Sequence, residues 1–128
     1  MALRDEIRVM VVDDMATSRA LLVQALESFG VKHVRAANSP VAALNDLRAS
    51  PAHLVISDYN MPDLNGLEFL KELRQGARTA KIGFLLVTGR ASAEIVSEGR
   101  KLGMNNMITK PFERPALLKA VEQIVGRL

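Results

Sequence analysis

Five times along the chain a short run rich in Val, Ile and Leu is followed by a longer segment whose apolar residues return every three or four positions. Strand then helix, repeated, restricts what can form, because a strand lies parallel to its neighbour only after a long crossover connection. Right-handed crossovers then cover both faces of the sheet and bring all strand ends of one polarity to one edge. The fold class expected is α/β: a five-stranded parallel sheet, doubly wound as (βα)5, in a three-layer sandwich.

The expected strands are residues 7–12, 33–37, 54–57, 84–87 and 107–109. Each ends in polar residues. The helices are expected over 16–29, 40–49, 66–75, 92–102 and 113–127. Gly30 stops the first of them, and Asn38-Ser39-Pro40 reads as an N-cap with proline just inside the second. Their inward faces are expected to carry Leu22, Ala25, Leu26 and Phe29, then Val41, Leu44 and Leu47, then Leu67, Phe69, Leu70 and Leu73. Ile95 and Leu102 do the same for the fourth helix, and Leu117, Val121, Ile124 and Leu128 for the last.

A chain of 128 residues forms one domain, burying about 65–70% of the surface its unfolded form exposes. Residues 1–128 read as that single domain, with no output domain attached. The absence of cysteine excludes disulfides and thiolate metal sites. The mixed charge of Met1-Ala2-Leu3-Arg4-Asp5-Glu6 is not that of a signal peptide, and no run approaches the ~18 apolar residues of a membrane span. A cytoplasmic protein without membrane insertion is expected. The net charge of +3 raises the question of nucleic acid, but the basic residues are dispersed and the aromatic residues do not interleave with them. No DNA partner is expected.

The chemistry is expected at the strand ends. Leu54-Val55-Ile56-Ser57 runs into Asp58 and then a turn marked by Asn60 and Pro62. Asp58 stands too early to cap the helix that begins near Gly66, since a cap directly precedes the first helical residue. At one edge of a parallel sheet this carboxylate joins Asp13-Asp14, Thr88 and Lys110. Three carboxylates about 5 Å apart repel by about 3 kcal/mol per pair at an effective dielectric near 20. Lys110 offsets part of that, and a divalent cation is the natural second counter-charge. An all-oxygen donor set favours Mg²⁺, or Mn²⁺, over zinc. Beside such an ion a carboxylate is a competent nucleophile toward phosphorus, with Thr88 and Lys110 placed to hold phosphoryl oxygens.

In order and spacing, Val11-Val12-Asp13-Asp14, Ile56-Ser57-Asp58-Tyr59-Asn60-Met61-Pro62, Leu86-Val87-Thr88-Gly89 and Thr109-Lys110-Pro111-Phe112 resemble the receiver domains of two-component response regulators. Among these the likeness is to the single-domain, CheY-like chemotaxis regulators, with their flavodoxin-like fold. The resemblance covers the whole chain. It implies that Asp58 accepts a phosphoryl group from a histidine kinase (CheA-like). It also implies that Asp14, assisted by Asp13, ligates Mg²⁺ together with Asp58 and the Asn60 carbonyl, and that Thr88 and Lys110 register the phosphoryl group. A cis Lys110–Pro111 bond and a monomeric protein are implied as well. So is a partner face formed by the fourth helix, last strand and last helix, where a flagellar motor switch protein (FliM-like) would bind. The protein would be a switch rather than an enzyme, beyond catalysing its own phosphotransfer and dephosphorylation.

Two positions depart from the pattern. Met107 stands where the family commonly has Tyr or Phe, so an aromatic switch is replaced by a flexible thioether. Arg90 occupies the second place after Thr88, where an acidic or polar residue is frequent. Other outputs weighed are a phosphate sink and a kinase-pathway adaptor. An aspartyl phosphatase would want an acid where Asn60 stands. A flavin or nucleotide module would want a Gly-rich phosphate cradle, which these loops lack; a cyclic-dinucleotide-binding module, admitted by the basic face, is the lesser alternative. His33 and His53, isolated from acids, are expected to be surface or strand residues.

Overall fold

In the computed structural model, which describes residues 2–128, the apolar runs form one parallel sheet of β1 (Arg8–Val12), β2 (His33–Ala37), β3 (Leu54–Asp58), β4 (Gly83–Thr88) and β5 (Asn106–Thr109). Their order is β2-β1-β3-β4-β5. Strand side chains alternate between faces, and the core divides by that parity. Val9, Val11, Leu54, Ile56, Leu85 and Val87 pack under helices α2 (Ala16–Ser28) and α6 (Arg114–Val125). Met10, Val12, Val55, Phe84 and Leu86 pack on the other side, under α3 (Pro40–Ala49), α4 (Gly66–Gln75) and α5 (Ala93–Lys101). The chain winds outward from β1 to β2 and then crosses back to β3. A crevice therefore opens beyond the carboxyl ends of β1 and β3.

One element was not expected. A four-residue helix, α1 (Leu3–Glu6), precedes β1 and is too short to show a hydrophobic period; Leu3 packs against the first core face. The helices expected over 92–102 and 113–127 are thus α5 and α6, each shorter by one or two residues at its ends.

One inward face also differs. In α3 the buried residues are Pro40, Ala43, Leu44 and Leu47, whereas Val41 is 47% exposed. The buried stripe follows i, i+3, i+4, i+7, and position 41 falls off it. Ile95 of α5 and Leu102 at its cap pack half-buried against the core as expected, and the fully buried residue of α5 is Gly99. Gly103 takes a positive φ of 90°, which lets the Met104 N–H reach back 2.8 Å to the Gly99 carbonyl and close the helix. The Met104 thioether occupies the space a Cβ on Gly99 would need.

Two devices hold the carboxyl edge in register. Asn65 caps α4 through both the Leu67 and Glu68 N–H groups, while Glu68 returns a hydrogen bond to the Asn65 N–H at 2.8 Å. Behind the cap, Gly66 sits so close to β3 that a Cβ would lie 2.6 Å from the Asp58 carbonyl oxygen and 3.0 Å from the Tyr59 Cα. Backbone cannot yield as a side-chain tip can. Gly66→Ala is expected to cost about 3 kcal/mol, the upper part of the overpacking range, and to move the Asp58 backbone. Urea denaturation and amide shifts at 58–60 check this.

Candidate functional site

The polar residues expected at the strand ends meet in the crevice. Asp13 directly follows β1, Asp58 ends β3, Thr88 ends β4 and Lys110 directly follows β5. Asp13, Asp14 and Asp58 can each offer one oxygen such that all three lie within 4.8 Å of one another. Asp13 is fully buried, Asp58 nearly so, and Asp14 is exposed. The Lys110 ammonium lies 3.3 Å from Asp58 Oδ1 and 3.5 Å from Asp13 Oδ2, and donates a hydrogen bond to the Ser18 hydroxyl at 3.0 Å. The Lys110–Pro111 peptide is cis.

Neighbouring N–H groups fix the two buried acids. The Asp13 Oδ1 accepts from the Met15 N–H at 3.0 Å, and Arg19 donates to the Asp13 carbonyl at 2.9 Å. Asp58 Oδ1 accepts from the Tyr59 N–H at 2.9 Å. The Asp13 Oδ2 is different. It is buried without a hydrogen bond, and the Lys110 ammonium stands 3.5 Å away as an ion pair. A carboxylate oxygen left so, beside two further carboxylates and one ammonium, fits a hard divalent cation with oxygen ligands. Burial pushes the Asp58 carboxyl above the ordinary carboxylate range. Asp13 adds to that rise, while Lys110 and the Tyr59 N–H oppose it.

Thr88 and Asn60 flank the acids. The Thr88 hydroxyl is buried and engaged with its own loop, donating to the Arg90 carbonyl at 3.2 Å and accepting from the Arg90 N–H at 3.1 Å. Asn60 is exposed beyond β3, where it lines an opening of about 370 Å³ with Asp14, Met61, Pro62 and Asn65. It also lines a second opening, of about 720 Å³, with Gly89 and Arg90. Met107 is half-buried against the core under α3, α4 and α5, in the company of Tyr59, Met61 and Met104. His33 and His53 are exposed, and the His53 Nδ1 accepts the Arg8 N–H at the first residue of β1, outside this site. Ser18 and Arg19 were missed from the sequence. Their only signal was a place in the helical turn that follows the acid pair.

A doubly wound parallel sheet with acids at β1 and β3, a hydroxyl at β4 and a lysine at β5 defines the receiver class of α/β modules. The chain belongs to the response regulator receiver domain family, whose model matches residues 9–122. It is 36% identical over 128 residues to the probable chemotaxis protein CheY of Rhizobium etli, covering 100% of this chain and 99% of that one. It is 29% identical over 126 residues to chemotaxis protein CheY-3 of Vibrio cholerae, covering 98% and 97%. Vibrio cholerae CheY4 superposes with a TM-score of 0.88 at 29% identity, over 94% of this chain and 99% of that one. The receiver domain of the Pseudomonas aeruginosa sensor histidine kinase PA1611 shares the fold, with a TM-score of 0.85 at 20% identity over 95% and 99%. In that structure a magnesium ion is coordinated in the active site cleft. The chain is thus a CheY-type receiver, a module of phosphorylation-dependent signalling rather than a classical enzyme. Among the described residues no helix is long and apolar enough to cross a membrane.

Proposed function

We propose that this receiver takes a phosphoryl group on Asp58 from a histidine kinase (CheA-like) and thereby switches its affinity for a protein partner in chemotaxis. The observation that carries the reading is the buried, hydrogen-bond-free Asp13 Oδ2 beside Asp58 and Asp14, faced by the single ammonium of Lys110. Asp13, Asp14 and Asp58, with the Asn60 carbonyl, would hold Mg²⁺. When bound, the ion supplies charge neutralisation and polarises phosphoryl oxygens.

The chain's own residues do the rest. The Tyr59 N–H and Lys110 occupy Asp58 Oδ1, which leaves Oδ2 as the oxygen to meet phosphorus. That oxygen forms the new O–P bond while the donor's N–P bond breaks and the electron pair leaves with the donor imidazole. Lys110 then pairs with the phosphoryl oxygens, and the Thr88 hydroxyl leaves Arg90 to hydrogen-bond them, drawing the loop after β4 inward. α5, β5 and α6 would thereby change the face carrying Arg100 and Lys101, both exposed. The relatives' names support an output in chemotaxis, and a flagellar motor switch protein (FliM-like) is the partner that the receiver resemblance implies. A second reading, a phosphate sink or kinase-pathway adaptor, is favoured by Met107 in place of an aromatic ring. Moving the active population from 1% to 99% takes about 5.5 kcal/mol of differential stabilisation, and a thioether defines that rearrangement less sharply.

Two measurements test this. With magnesium and a small phosphodonor, mass spectrometry should place one phosphoryl group on Asp58, and a chelator should prevent it. A purified motor switch protein should bind the beryllofluoride-activated form more tightly than the resting form. Labelling elsewhere, or labelling indifferent to chelation, refutes the acceptor assignment; equal binding of both forms refutes the motor output.

A further inference from the structure

We propose that Ser18 is a positioning residue for Lys110, setting where the ammonium waits for the phosphoryl oxygens; the inference rests on Asp58 being the acceptor. An ammonium has three N–H donors, and three oxygens from separate parts of the fold surround this one. They are Ser18 Oγ of α2 at 3.0 Å, Asp58 Oδ1 of β3 at 3.3 Å and Asp13 Oδ2 beyond β1 at 3.5 Å. The nearest is the neutral hydroxyl. It accepts a hydrogen bond, while the two carboxylates hold the ammonium in ion pairs.

A lysine free to choose would close on the carboxylates, since charge-assisted bonds are the stronger ones. Lys110 instead is fixed at both ends of its flexible stem. Its main-chain N–H donates to the Thr88 carbonyl at 2.8 Å, and its tip is drawn toward α2 by Ser18. The α2 end is itself registered to the acids, because Arg19, the next residue, donates to the Asp13 carbonyl at 2.9 Å. Ser18 therefore holds the ammonium within reach of Asp58 Oδ1 yet short of closing over the carboxylates, which remain open to a cation. Pinning both ends also removes much of the rotamer search a lysine otherwise carries into a polar contact.

The test compares Ser18→Ala with Ser18→Thr, which keeps the hydroxyl, in the full chain. In the metal-free protein at low temperature, the Lys110 ammonium protons should give a water-protected NMR signal with cross-peaks to the Ser18 β-protons. Alanine should abolish that signal and threonine should retain it. With saturating magnesium and phosphoramidate, alanine should slow Asp58 phosphorylation by about fivefold or more, and threonine should stay within about twofold of the parent. An alanine variant that keeps the protected signal and the parent rate overturns the proposal. So does a rate that falls equally in both variants. If the parent itself is not labelled on Asp58, the acceptor reading fails, while the NMR comparison still decides whether Ser18 seats the lysine.

Discussion

Asp58→Asn is expected to abolish labelling by a small phosphodonor while making the metal-free fold more stable at neutral pH. The loss of labelling follows from removing the nucleophilic carboxylate. The gain follows from the raised pKa of Asp58 in the fold, where burial disfavours the charged carboxylate. An acid whose folded pKa exceeds its unfolded value destabilises the fold once pH rises through that interval, and contributes no penalty below both values. Above the interval the asparagine variant is relieved of that penalty, although loss of the Lys110 attraction offsets part of the relieved repulsion. The difference should shrink as pH falls into the interval and vanish below the ordinary carboxylate range. Urea unfolding across that pH range checks it. A variant that still takes label, or one equally stable at every pH, contradicts the site as described.

Lys110→Ala should move stability and metal affinity in opposite directions. It removes the ammonium that stands within 3.5 Å of two buried carboxylates. Breaking a buried pair typically costs 3–5 kcal/mol, and with the lysine side chain 26% exposed the expected loss at neutral pH is about 2–3 kcal/mol. The same ammonium competes with a cation for the acids. Magnesium should therefore bind the alanine variant about tenfold more tightly, and ion at 100 times its Kd should return about 2.7 kcal/mol of stability. Unfolding with and without magnesium, beside a binding isotherm, measures both. Weaker binding would mean that Lys110 organises the cation site instead of opposing it.

What the sequence made legible was whatever a local pattern encodes. The β-branched runs and caps such as Ser39, whose hydroxyl accepts the Ala42 N–H at 3.1 Å, announce the elements, and the alternation of elements dictates the sheet edge. Convergence of Asp13, Asp14, Asp58, Thr88 and Lys110 then follows from topology alone. Hidden were the features that depend on distance between elements. Ser18 is 92 residues from Lys110 along the chain, and a serine in a helix carries no sign of its partner. Nothing in the sequence sets Arg74 apart from the other basic residues. It donates to the carbonyls of Ala80, Ile82 and Gly103 and to the Asn105 side chain, tying the ends of α4 and α5 to the start of β4. Gly66 read only as the start of a helix, and its closeness to the Asp58 carbonyl appears once β3 and α4 are packed.

The most direct measurement is a magnesium titration of the metal-free protein followed by NMR at the carboxyl and amide groups around the crevice. Saturable shifts confined to residues near Asp13, Asp14, Asp58, Asn60 and Lys110, with one ion bound, are the result predicted. Flat spectra, or small shifts scattered over every exposed acid, would mean that the buried carboxylates meet their repulsion without a cation, and the phosphoacceptor account would fail with them.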